Sequence, residues 1–254
     1  MTDAVDALRA DSEVLVAAAS NFTAAEWATP SSCAGWTVQD VVAHMSALWR
    51  QITDPGSLPP ADPSGATERT QDRWVESMRS MSGAEVLAAY QEHAGNAMEG
   101  LEGLRGNDTP MDLGDLGTYP MGMIANAFSF DHYTHLRADI FGPVGPIGTA
   151  PESDALRLGP AMDWMVAGIP QMCTEALASI PSPVTLDLAG PGGRTVTFPA
   201  DGSNGPGDSV ATVTTPTTDF VLWGTKRRDW RELDVALDGD VEIATVFCDA
   251  IRVF

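Results

Sequence analysis

Basic side chains are scarce in this 254-residue chain: 14 Lys and Arg stand against 35 Asp and Glu, a formal net charge of −21. The acids are spread along the sequence rather than gathered in a tail. A nucleic-acid backbone or an anionic membrane surface would be repelled, and neither is expected as a partner. No uninterrupted apolar run reaches the length of about 18 residues that a spanning helix needs. The opening MTDAVDALRADSEVLV lacks the basic stretch, apolar run and cleavage site of a secretory signal, and a cytoplasmic protein is the expectation. Cysteine is also sparse. Cys33, Cys173 and Cys248 are odd in number, far apart and in no CxxC pairing, which argues against a disulfide framework or a cysteine zinc site. Each reads as a small buried hydrophobe, with no adjacent His or Lys to activate it. Neither a nucleophile elbow nor a phosphate loop occurs, and no carboxylate pair is placed for glycosidase chemistry.

What is present is a globular composition, 44% hydrophobic and 19% charged, in a chain long enough for two domains with real cores. The first two-thirds read as helices, over about 3–20, from Thr37 onward, 69–80, 83–104, 120–140 and 154–180. Thr37 followed by Asp40 is a variant of the capping box. The segment DPGSLPPADPSGAT is a Pro/Gly loop long enough to cover a site. At IPSPVTLDLAG the pattern changes to short alternating runs, VTLDL, RTVTF and SVATVTT, separated by turns such as PGG and DGSNGPGD. Ile243, Phe247 and Ile251 then fall on one face of a closing helix.

The stretch FSFDHYTHLRADI holds the chemistry. On a helix, Asp131, His132, His135 and Asp139 continue the apolar face of Met121, Ile124 and Phe128, within an arc of about 100°. The other faces keep Tyr133, Leu136, Ala138 and Ile140, so the helix does not simply emerge into water. A buried carboxylate and imidazole one turn apart need compensation. Either a divalent ion on Asp131 and His135 or a structural Asp–His ion pair supplies it. A third ligand has to come from elsewhere. His44 lies beside the stripe of Val41, Val42, Met45, Leu48 and Trp49, and His93 is a reserve.

WATPSSCAGWTVQDVVAHM resembles the entry to the second helix in the mycothiol-dependent maleylpyruvate isomerase family of actinobacteria, whose N-terminal half is a DinB-like four-helix bundle. TTPTTDFVLWGTKRRDWRELDVALDGDVEIATVFCDAIRVF is similar to the sterol-carrier-like domain that follows the bundle there. The resemblance implies a helical domain over 1–181 and a small α+β domain over 182–254. It also implies metal ligation by His44, Asp131 and His135. Two departures stand out: Asp131 replaces the family's Glu, and HLRAD replaces the frequent H-x-x-D, leaving Asp139 to orient a ligand or to pair with Arg137. Two imidazoles and a carboxylate leave a coordination position open. Zinc is the default, with nickel, iron or manganese compatible. By the same resemblance the open position takes the thiol of mycothiol, giving an isomerase or S-transferase for a small electrophilic substrate. Arg227, within Lys226–Arg228, either meets a substrate carboxylate or is a solvated charge. The alternatives are a metal-dependent hydrolase and a non-catalytic small-molecule binder with a degenerate metal site. A monomer and a homodimer are both compatible, and the tryptophans are assigned to packing, with Trp49, Phe128, Tyr133 and the loop 54–67 as pocket candidates.

Overall fold

In the computed structural model of the chain, residues 4–199 and 209–254 are described. The turn DGSNGPGD at 201–208 lies outside them. The chain divides after Glu152 into two compact units.

Six helices build the first unit: α1 (Ala4–Ala19), α2 (Ala24–Trp27), α3 (Val38–Thr53), α4 (Thr67–Met78), α5 (Gly83–Gly103) and α6 (Ile124–Thr134). The long helices α1, α3, α5 and α6 pack as a four-helix bundle. Each presents apolar residues at helical spacing: Leu8 and Leu15 on α1, Val38, Val41, Val42, Met45 and Trp49 on α3, Val86, Tyr90, Ala97 and Leu101 on α5. The capping box expected at Thr37 is formed. Thr37 N–H donates to Asp40 Oδ2 at 2.9 Å, and Asp40 N–H returns a bond to Thr37 Oγ1 at 3.2 Å. A true box of the Ser/Glu kind starts α5, where Gly83 lies so close to Trp27 that a Cβ would stand 2.3 Å from the indole. A small hairpin of β1 (Pro110–Asp112) and β2 (Thr118–Pro120) precedes α6.

The second unit contains α7 (Ala155–Met172) and α8 (Thr174–Ala178), then a four-stranded sheet made of β3 (Val184–Ala189), β4 (Arg194–Phe198), β5 (Ala211–Pro216) and β6 (Ala236–Gly239), ordered β4-β3-β5-β6. Among the described strands of this sheet only β3 and β5 pair in parallel, with Leu186 opposite Val213; Leu186 also faces Val196 across the antiparallel pair with β4. Alternate residues of β3 and β5 are buried beneath α9 (Thr217–Gly224) and α10 (Val241–Ala250). The architecture is therefore the one expected, a helical bundle followed by an α+β unit. The division by packing falls earlier than the expected 181/182, because α7 packs on α8 and α9. Among the described residues no helix is long and apolar enough to cross a membrane.

Candidate metal centre

Three side chains from two helices converge in the first unit. His44 projects from α3; Asp131 and His135 come from successive turns of α6 and the segment His135–Ile140 that continues it. One donor atom from each lies within 4.8 Å of the other two. His44 Nε2 is 2.9 Å and His135 Nε2 3.4 Å from Asp131 Oδ1, and the two imidazoles meet edge to face with centroids 4.9 Å apart. Their side chains are 7% and 9% exposed while that of Asp131 is 20% exposed, so the approach from solvent is on the carboxylate's side.

The helix changes pitch at this point. His135–Ile140 is a π-helical turn, closed by Phe141 N–H donating to Leu136 O, five residues back, at 3.0 Å. Such single wide turns are rare and concentrate at functional sites. In an i→i+5 register the residue four positions on stands almost over the first. Asp139, fully buried, accordingly takes a hydrogen bond from His135 Nδ1–H at 2.7 Å. A carboxylate placed behind a ligand imidazole fixes its tautomer and ring orientation, here leaving Nε2 to face His44 and Asp131. The hydrogen bonds of Arg137 run elsewhere. Its guanidinium forks onto Asp11 of α1 at 2.9 and 3.1 Å and lies 4.3 Å over the Tyr133 ring. Asp139 therefore bonds the His135 ring rather than Arg137, and Arg137 is a buried tie between α1 and the π turn rather than a surface charge.

Burial works to raise the Asp131 carboxyl, but the two imidazoles outweigh it and hold the pKa well below the usual carboxylate range. Burial likewise works to lower His135, and Asp131 together with the bond to Asp139 holds it well above the ordinary value. His132 behaves oppositely. Fully buried, it donates from Nδ1 to Phe128 O at 3.0 Å and receives the Tyr90 hydroxyl at Nε2, 3.2 Å away. Desolvation dominates and pushes its pKa down to about 4. Both ring nitrogens are committed, so His132 is a neutral core residue. His93 is engaged outside the cluster, with Nδ1 2.8 Å from Thr53 Oγ1.

The donor set suits a divalent cation. Two nitrogens and a carboxylate oxygen converge, and two enclosed polar atoms of the same residues, His44 Nδ1 and Asp131 Oδ2, make no hydrogen bond. A buried carboxylate oxygen in that position is costly unless a positive charge compensates it.

Several side chains stand elsewhere than the sequence suggests. Trp49 and Tyr133, expected as pocket walls with Phe128, are core residues with 0% and 2% exposure, and Phe128 stacks on Trp49. The loop 54–67 is fastened to α4 by Trp74 Nε1–H on Pro59 O and Asp62 N–H on Thr70 Oγ1. Trp36, grouped with the packing tryptophans, instead lies at the site, 5.3 Å from the His44 ring and 6.5 Å from that of His135, anchored by Nε1–H on Asp72. Cys33 is half-buried with Sγ 4.0 Å from His135 Nδ1, a neighbour that sequence adjacency could not show. The motif AGWT, which carries Trp36 next to the α3 cap, was the available signal.

Comparison with known proteins gives the family. Residues 8–118 match the model described as "Mycothiol maleylpyruvate isomerase N-terminal domain", and residues 163–244 match that described as "MDMPI C-terminal domain". The chain belongs to the mycothiol-dependent maleylpyruvate isomerase family. Two crystal structures have the same fold. One, of the mycothiol-dependent maleylpyruvate isomerase, is 17% identical with a TM-score of 0.57, covering 89% of this chain and 88% of that one. The other, a histidine-to-alanine mutant of a mycothiol-dependent maleylpyruvate isomerase, is 15% identical with a TM-score of 0.55, covering 92% and 91%. No curated protein sequence matches. Membership in this isomerase family makes the chain an enzyme.

In this family member the basic run of the second unit is in part structural. Lys226, at a positive φ of 58°, donates from Nζ to the carbonyls of Cys248 and Asp249 at 3.3 and 2.9 Å, capping the end of α10. Arg228 pairs with Glu232 at 3.5 Å. Arg227 is half-buried in the same turn, in the other compact unit from the three converging donors.

Proposed function

We propose that the chain is a metal- and mycothiol-dependent isomerase of a small electrophilic substrate, with one divalent ion, zinc by default, held by His44 Nε2, Asp131 and His135 Nε2. The observation that carries this reading is the convergence of the three donor groups within 4.8 Å in a member of this family. When bound, such an ion lowers the pKa of a thiol at its open position, so that a thiolate is available near neutral pH.

The remaining work falls to the protein. Asp131 contributes the one anionic donor, kept ionised by the neighbouring imidazoles. Asp139 holds the His135 ring so that Nε2 points to the shared position. Three protein donors leave room for an exogenous ligand, the pattern of catalytic rather than closed sites. Trp36 lies against both imidazoles and shields them from bulk water, which favours the thiol over hydroxide as the nucleophile. Arg227 is assigned to a substrate carboxylate, since a guanidinium fork suits that group. A reduced low-molecular-weight thiol fits a cytoplasmic setting.

The test is the metal content of native protein purified without chelator, together with His44→Ala and His135→Ala, followed by turnover of maleylpyruvate with and without mycothiol. The reading expects about one equivalent of metal, lost in both variants, and turnover that requires the thiol. Folded protein that takes up no zinc, nickel or manganese would refute the metal site; metal with thiol-independent cleavage of the substrate by water into two products would make the protein a hydrolase.

A further inference from the structure

His135 is shared by two sets of donors. On its Nε2 side lie His44 and Asp131; on its Nδ1 side Cys33 Sγ stands at 4.0 Å and Asp139 Oδ2 at 2.7 Å. The second set, Cys33, His135 and Asp139, also brings one donor atom from each residue within 4.8 Å of the others. Cys33 therefore faces the opposite edge of the ring from the first set. Its position is built into the fold. Ser32 N–H donates to Asp139 O at 3.4 Å and Ser32 Oγ–H to Val144 O at 3.0 Å, fastening the turn to the π segment. Inside the turn, Cys33 N–H donates to Ser31 Oγ at 3.1 Å, and Trp36 N–H donates to Cys33 O at 3.1 Å.

We propose that Cys33, His135 Nδ1 and Asp139 form a second metal site, selective for thiophilic divalent ions such as Cd2+ and in competition with the His44–Asp131–His135 site for the one imidazole. A sulfur, a nitrogen and an oxygen donor together favour a softer ion than the nitrogen and oxygen donors of the first set. Neutral imidazole has a single lone pair. An ion that takes it at Nδ1 leaves hydrogen on Nε2 and withdraws His135 from the other set. Binding to the protonated ring releases two protons to solvent, one from the Cys33 thiol and one from Nδ1. The two ions thus weaken each other reciprocally.

The experiment is titration of the full-length, reduced, metal-free protein with Cd2+ alone, followed through the ultraviolet thiolate-to-cadmium charge-transfer band. The proposal expects the band in wild type, in Cys173→Ser and in His44→Ala, and its loss in both Cys33→Ser and Cys33→Ala. Asp139→Asn is expected to weaken the site about tenfold or more, and added zinc to weaken it in wild type but less in His44→Ala. A band that persists in both Cys33 variants, or no band in wild type, overturns the proposal. A band lost in His44→Ala overturns it as well, because Cys33 would then serve the first set. Failure of the isomerase reading is visible separately, in the zinc content of native protein.

Discussion

Two buried histidines with opposite surroundings set the pH response of the metal-free protein. His132, pushed from 6.5 down to about 4 by burial, binds its proton more readily in the unfolded chain between those values. Stability therefore falls as pH drops from 6.5 towards 4, by on the order of 3 kcal/mol at the acid end. His135, held above 6.5 in spite of its burial by Asp131 and Asp139, is the reverse: the stability it contributes is present below 6.5 and is lost as pH rises through its folded pKa. Denaturant unfolding of chelator-treated protein across this range should give maximum stability near pH 6.5, and His132→Gln should flatten the acid limb. A profile that rises steadily from pH 6.5 to 8 would contradict the assignment of His135. Asp139→Asn keeps the shape but removes the charge behind His135. Zinc affinity, measured by chelator competition, is expected to fall about 10–100-fold. Arg137→Ala leaves Asp11 buried without its forked partner and should destabilise by about 3–5 kcal/mol, read from the denaturation midpoint.

Element boundaries in the bundle were legible because periodicity and caps agree. Thr37 and Asp40 mark the start of α3, Ser82 and Glu85 that of α5, and the apolar positions between them repeat at helical spacing. The acids and imidazoles on the last bundle helix were also legible as a buried ionisable cluster, since their face was apolar one turn earlier. The pitch change was not. Nothing in HLRADI distinguishes an i→i+5 bond from an i→i+4 bond, because the choice is made by tertiary partners: Asp11 draws Arg137 inward while Asp139 closes on His135. The extra position in HLRAD relative to H-x-x-D is thus absorbed by the wide turn, and the carboxylate still meets the ring. Cys33 and Trp36 escaped notice for a related reason, as their contacts with His135 span a large sequence separation. Strand β6, ALDG, has too few apolar residues to alternate and is mostly exposed. At the α2–α5 contact, Gly83→Ala should cost about 1–3 kcal/mol by overpacking against Trp27, despite alanine's better helix propensity. Unchanged thermal stability would mean that the indole moves aside freely.

For the molecule as a whole, the change from helical to alternating pattern at 182 is a change of secondary structure and not the point where packing divides. The apolar residues of α7, including Leu158, Met162, Trp164, Met165 and Ile169, are buried within the second unit. A chain ending at Glu152 contains His44, Asp131, Asp139 and His135 and is expected to fold and to bind about one equivalent of zinc. One ending at Pro181 carries α7 without the sheet and α9, and should aggregate. Gel filtration and metal analysis of the two fragments check this, and the opposite ranking would restore the boundary near 181/182.

The tie between Asp11 and Arg137 spans 126 positions, and this separation has a consequence during synthesis. At roughly 5–20 residues per second, α1 leaves the ribosome on the order of 10 s before its counter-charge exists. Throughout that interval the guanidinium that forks onto Asp11 in the finished fold has not yet been synthesised. Docking of the first helix with an ionised Asp11 facing inward is accordingly expected to wait until the segment that carries Arg137 has emerged.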